Sequence, residues 1–235
     1  MINLVKSFAT DDGGAVTVDW VVLTSGVVGL GLAVMAVASG GVEDLSVEVA
    51  EALADISLVS GQVVEVAFHD FSDGDAAGWL GGRVMDMGGQ LGELLVLGPG
   101  ETAGFTLEVP SGTAEAAMVF DLVAGDSLDN STRWGTDTAT VLINGVPVAI
   151  ATSARGSQMT FDIPQVDGTM VEATVTVDPG QLGGSGRWYD AVAEVTVTVD
   201  QPVGPIDVQL HSGANQNIRD EFWGVDNFNA SVTGG

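Results

Sequence analysis

The sequence predicts a long N-terminal α-helix followed by an all-β antiparallel sandwich. Three observations predict it. The 23 residues from Trp20 to Val42 carry no charge, enough to cross a bilayer as a helix. Beyond residue 62, apolar and polar residues alternate in short runs separated by clusters of glycine, proline, aspartate and asparagine. Asn144-Gly145 joins two such runs, the strongest two-residue hairpin signal in the chain. The expected organisation is therefore a leader over 1–14, a hydrophobic helix with an amphipathic extension over 15–60, and a β-sandwich head over 61–235.

Composition narrows the function before any motif is read. The net charge is −26, from 32 acids and six basic residues. Lys6 is the only lysine, and past residue 14 the cations are five arginines: Arg83, Arg133, Arg155, Arg187 and Arg219. Such a surface repels phosphate backbones and anionic lipid, so nucleic acid is not an expected partner. Acidity of this kind suits an exported head in a salty medium or one that binds divalent cations, and equally suits general solubility. The chain has no cysteine, which excludes disulfides, thiol chemistry and cysteine–zinc sites. Its two histidines, His69 and His211, are far apart in sequence. No Gly-x-Ser-x-Gly elbow, phosphate loop or His-Glu-x-x-His helix is present. Glycoside hydrolysis needs a carboxylate pair flanking a cleft, and a chance pair among so many acids proves nothing. Catalysis is not expected.

Residues 1–14 are short and weakly basic, with Gly13-Gly14 ahead of the apolar run rather than behind it. Cleavage there would leave the hydrophobic segment on the mature chain. Asp19 stands at the start of the run, where an unpaired carboxylate is costly and so marks a functional position. Gly26, Gly29, Gly31, Gly40 and Gly41 would let helices approach closely, although membrane spans also tolerate glycine without such a purpose. From Val42, Leu45, Val49, Leu53 and Ile56 share one helical face while most acids fall elsewhere, and Gly61 is a plausible stop.

Gly14-Ala15-Val16-Thr17-Val18-Asp19-Trp20 resembles the processing site of type IV prepilins, closest to the small Flp-type (type IVb, tight-adherence) pilins. The resemblance implies a prepilin peptidase that cuts between Gly14 and Ala15. It implies assembly through Asp19 and Trp20, with Asp19 neutralising the new amino terminus of a neighbouring pilin subunit. It further implies a Gram-negative inner membrane before assembly and an extracellular pilus or cell surface afterwards. The sequence departs from the family in having Asp19 for Glu and Trp20 for Tyr. An ordinary signal anchor on an exported glycan-binding protein that never polymerises fits the same residues.

In the head, eleven strands are expected: Val63–Phe71, Leu94–Leu97, Gly104–Val109, Ala114–Leu122, Thr138–Ile143, Val146–Thr152, Gln158–Ile163, Met170–Val177, Ala191–Val199, Ile206–His211 and Gly224–Val232. Eleven short strands with no convincing helix among them argue for an antiparallel sandwich.

Phe68-His69-Asp70-Phe71-Ser72-Asp73-Gly74 with Gly78-Trp79 is similar to the opening of lectin-like and carbohydrate-binding jelly rolls. Val119-Phe120-Asp121-Leu122, Asp126-Ser127 and Thr140–Gly145 look like their middle strands, and Asp220–Phe228 like their last. The resemblance implies that first and last strands lie side by side, with Asp70, Asp73 and Asp226 as ligands of a structural calcium. Asp70 and Asp226 could equally make turn hydrogen bonds. A second group, Asp126, Asp129, Asn130 and Asp137 around Trp134, would serve as a cation site, a glycan-contacting loop or a solvated loop. Trp134 and Trp188, beside Arg133 and Arg187 in polar loops, are the better exposed sugar platforms. Trp79 and Trp223, flanked by strand residues, read as core.

Overall fold

The computed structural model describes residues 20–28, 30, 61–76, 78–131, 133–154, 159–184 and 187–235. The chain divides into two units, Met1–Asp55 and Ile56–Gly235. In the first, the expected long helix is corrected. Among the described residues, helix covers only 20–28 and residue 30. No helix among them is long and apolar enough to cross a membrane. Thr24 and Ser25 return their hydroxyls to the carbonyls of Trp20 and Val22, a local bond that competes with the helix ladder and weakens helical preference. Trp20 is exposed. The expected cleavage pair Gly14–Ala15, the acid Asp19 and the amphipathic extension lie outside the described residues.

The second unit is built of antiparallel strands: β1 (Val63–His69), β2 (Arg83–Asp86), β3 (Glu93–Leu97), β4 (Thr102–Leu107), β5 (Thr113–Asp126), β6 (Asn130–Ser131), β7 (Gly135–Thr136), β8 (Thr138–Ile143), β9 (Val146–Ser153), β10 (Met159–Asp162), β11 (Thr169–Gly180), β12 (Asp190–Asp200), β13 (Ile206–Ser212) and β14 (Glu221–Gly234). One sheet has the order β11-β12-β5-β14-β3-β2, with β1 also on β14; the other has β10-β9-β8-β13-β4. The chain changes sheet from β3 to β4, β4 to β5, β5 to β8, β10 to β11, β12 to β13 and β13 to β14. These crossings make a jelly roll, a sandwich of two interleaved Greek keys. The first and last strands lie side by side, with Val64 opposite Val232 and Phe68 opposite Asn229.

Period-two patterning sets which face is buried. In β12, Ala191, Ala193, Val195 and Val197 are all buried, and in β8 so are Ala139, Val141 and Ile143. These faces meet in one core. Asn144 (φ 51) and Gly145 (φ 76) both adopt the left-handed conformation that the tight turn between β8 and β9 requires.

Of the Phe68–Trp79 segment, Phe71 and Trp79 supply core while Phe68 stays exposed. Phe71 and Trp79 are buried, and the Trp79 ring meets Phe228 edge-on at 5.2 Å. Phe105 meets Phe228 at 5.5 Å and stacks on Trp79 at 5.7 Å. A smaller apolar cluster lies on the opposite side of the β14 sheet, where Phe222, Leu94, Val96 and Val123 are covered by Leu91 and Leu182.

Candidate functional site

Three segments form a cleft at one end of the sandwich: 127–136 after β5, 181–189 between β11 and β12, and 215–220 before β14. Each is tied down by a buried carboxylate. Asp137 closes the first segment: its Oδ2 accepts the backbone N–H of Asp129 at 2.6 Å, and its Oδ1 accepts the Asn215 side-chain amide at 2.6 Å. Asp190 holds the second. Its Oδ2 accepts the N–H groups of Leu182 at 2.9 Å and Gly183 at 3.0 Å, while its Oδ1 accepts the Asp126 N–H at 2.9 Å. Glu221 holds the third through Asn215 N–H at 3.2 Å, Gln216 N–H at 3.0 Å and the Gln216 side-chain amide at 2.6 Å. All three acids are fully buried. Burial raises each of their pKa values, and for Glu221 the nearby Asp137 charge adds to the rise. Neutral N–H donors satisfy such groups without a counter-charge, so the loops are fixed at an electrostatic cost.

Strands β6 and β7 make a miniature hairpin that carries Arg133 and Trp134 at its tip, where the Trp134 N–H is accepted by Ser131 Oγ at 3.1 Å. The Arg133 guanidinium lies over the Trp134 ring at 4.7 Å, and that of Arg187 over the Trp188 ring at 5.1 Å. The cleft measures about 770 Å³ and is lined by Asp129, Ser131, Trp134, Gln181, Trp188 and Tyr189 among others. That size suits a small-molecule or oligosaccharide ligand. Trp134 is 55% and Tyr189 52% exposed, an unusual display of aromatic surface.

The structure brings Asp129, Trp134 and Trp188 together on this lining. Asp137 lies beneath it, fully buried, and Asp126 is buried with its N–H held by Asp190. Trp79 and Trp223 are in the core. Sequence reasoning did not find Asp190, Glu221, Asn215 or Tyr189. Asp190 and Glu221 each open an apolar strand, and an acid at such a position was the available signal of a buried loop anchor.

The carboxylates of Asp129, Asp137 and Glu221 each place an oxygen within 4.8 Å of the others and could hold a metal ion. An all-oxygen donor set fits a hard cation such as calcium, and carboxylate oxygens keep acceptor capacity after one N–H bond. The acids expected to bind calcium, Asp70, Asp73 and Asp226, are placed elsewhere. Asp70 Oδ1 accepts the N–H of Ser72 at 3.2 Å and its hydroxyl at 3.0 Å, and Asp73 Oδ1 accepts the Asp75 N–H at 2.9 Å. The pKa of Asp226 is pushed up to about 6 by burial, with repulsion from Asp121 and Asp70 adding to it. Asp70 and Asp226 thus feel one another, while Asp73 caps its own turn.

No family model matches the chain. No curated protein matches it either. Solved structures do. The K3 cleaved adhesin domain of Lys-gingipain from Porphyromonas gingivalis is 10% identical, with 72% of this chain and 99% of that one aligned at a TM-score of 0.44. The CBM2 module of the evolved Dit of Lactobacillus casei BL23 phage J-1 is 12% identical, over 75% and 99%, at 0.39. TmCBM61, solved with beta-1,4-galactotriose, is 10% identical, over 68% and 92%, at 0.35. At scores this low, these likenesses transfer neither fold detail nor ligand to this chain.

Proposed function

We propose that the sandwich is a glycan-binding, adhesive domain that holds a saccharide in the cleft between the 127–136 and 181–189 segments without cleaving it. One observation carries this reading: Trp134, Trp188 and Tyr189, from two separate loops, converge on one cleft with Asp129, Ser131 and Gln181 among them. Aromatic faces take up the apolar face of a sugar ring, and amide and hydroxyl groups between them fix its hydroxyls. The acids of the described lining are Asp129, 8% exposed, and Asp220. A structural calcium on Asp129, Asp137 and Glu221 would stiffen the cleft floor. An exported, surface-facing location would suit this role. A pilus-subunit role draws on about residues 1–58, and nothing in the sandwich supports it.

The test is isothermal titration of the full chain with a panel of defined oligosaccharides, alongside Trp134→Ala. Binding by the wild type is expected, with a loss of roughly thirtyfold in the variant, as for a central aromatic anchor. No heat with any oligosaccharide would end the reading. Release of new reducing ends would replace binding by hydrolysis.

A further inference from the structure

We infer that this cleft selects an acidic saccharide, one whose sugar ring bears a carboxylate, and that Arg133 and Arg187 recognise that group; the inference rests on the glycan-binding reading above. The reason is the placement of scarce charge. Past residue 14 the chain has five arginines and no lysine. Two of the five, Arg133 and Arg187, line this one cleft. Both are exposed, and each lies against an aromatic ring of the same lining, at 4.7 Å and 5.1 Å.

A solvated arginine on so acidic a protein would be expected to seek a carboxylate. Arg83 does so, pairing with Glu101. Arg133 instead meets the Trp134 ring and makes no ion pair among the described residues. Stacking on Trp134 holds the Arg133 guanidinium flat with its N–H edge open, which preorganises it for bidentate contact with a planar carboxylate. The same rings receive the sugar, so a uronate-type residue would stack and pair within one site. The negative charge of the rest of the molecule does not prevent this. At physiological ionic strength, charges more than about 8 Å away are largely screened, so the contacting cations are opposed chiefly by the acids of the cleft itself, Asp129 first among them.

The experiment titrates the full chain with uronate-containing oligosaccharides, each matched to its carboxyl-reduced neutral form. Wild type, Arg133→Gln, Arg133→Lys and Trp134→Ala are compared, with melting temperature as the folding control. The acidic member is expected to bind at least about tenfold more tightly, the value of one charge-assisted hydrogen bond. Arg133→Gln should remove that preference, and Arg133→Lys should keep part of it. Equal binding of both members, unchanged in Arg133→Gln, would overturn the inference and leave the glycan reading standing. Binding of neither member would overturn both.

Discussion

Asp129 and Asp137 clasp one another with two hydrogen bonds: the Asp129 N–H donates to Asp137 Oδ2 at 2.6 Å, and the Asp137 N–H donates to the Asp129 carbonyl at 2.7 Å. The clasp closes the loop that carries Trp134. Asp137→Ala should therefore leave the buried Asp129 N–H without its acceptor and release Asn215. The expected cost is about 2 kcal/mol of stability, measured by urea unfolding at unchanged slope, with weakened saccharide binding. A stable variant with normal binding would show that the clasp does not position the cleft.

Stability should fall as pH rises through the weakly acidic range. The Asp226 pKa is raised from 3.8 to about 6, with burial the largest cause. Between those values the folded chain holds the proton and the unfolded chain does not. The stabilisation is thus complete below pH 3.8 and lost as pH approaches about 6. Asp137, Asp190 and Glu221 are raised too and act in the same sense. His69, lowered chiefly by burial, opposes them as pH drops. Asp226→Asn isolates one contribution: it should flatten the Tm-against-pH curve on the high-pH side. An unchanged slope would remove Asp226 as a cause.

Calcium should raise the melting temperature and a chelator should lower it, because an ion bound only by the folded state stabilises it. The trio of Asp129, Asp137 and Glu221 gives the expected site, so Glu221→Gln should abolish the difference between calcium and chelator. A difference that survives in Glu221→Gln and is lost in Asp226→Asn would move the ion to the Asp70–Asp226 group. No difference in the wild type would exclude both.

Gly125 is fixed by packing. A Cβ there would run into the Phe222 ring, which is fully buried in the smaller apolar cluster. Gly125→Ala must displace that ring and should cost about 1–3 kcal/mol. Denaturant unfolding checks this, and a neutral result would mean that Phe222 has room to move.

The strands were legible wherever alternation was strong. Thr138–Ile143 agrees at both ends, and the Asn144-Gly145 turn takes the conformation those residues favour. The short strands Arg83–Asp86, Asn130–Ser131 and Gly135–Thr136 were not, because two to four residues are too few to show a period. The long helix expected over 15–60 is corrected: among the described residues helix covers 20–28 and residue 30, and no helix among them is long and apolar enough to cross a membrane. Of the site, Trp134 and Trp188 stood out because a tryptophan beside an arginine in a polar loop has no strand to bury it. Asp190 and Glu221 did not, since an acid looks solvated until its burial is seen.

The sequence by itself determined the all-β architecture of the head, its tight turn, its acidity and the absence of cysteine chemistry. These follow from local patterning and composition, which need no partner distant in the chain. Only the tertiary structure decided that segments 127–136, 181–189 and 215–220 share one cleft, that Asp137, Asp190 and Glu221 lie buried beneath or beside it as loop anchors, and that two of the scarce arginines face the same space. The physical reason is sheet order. β5, β12 and β14 are neighbours in one sheet though far apart in sequence, and their pairing brings Asp126, Asp190 and Glu221 to the same end.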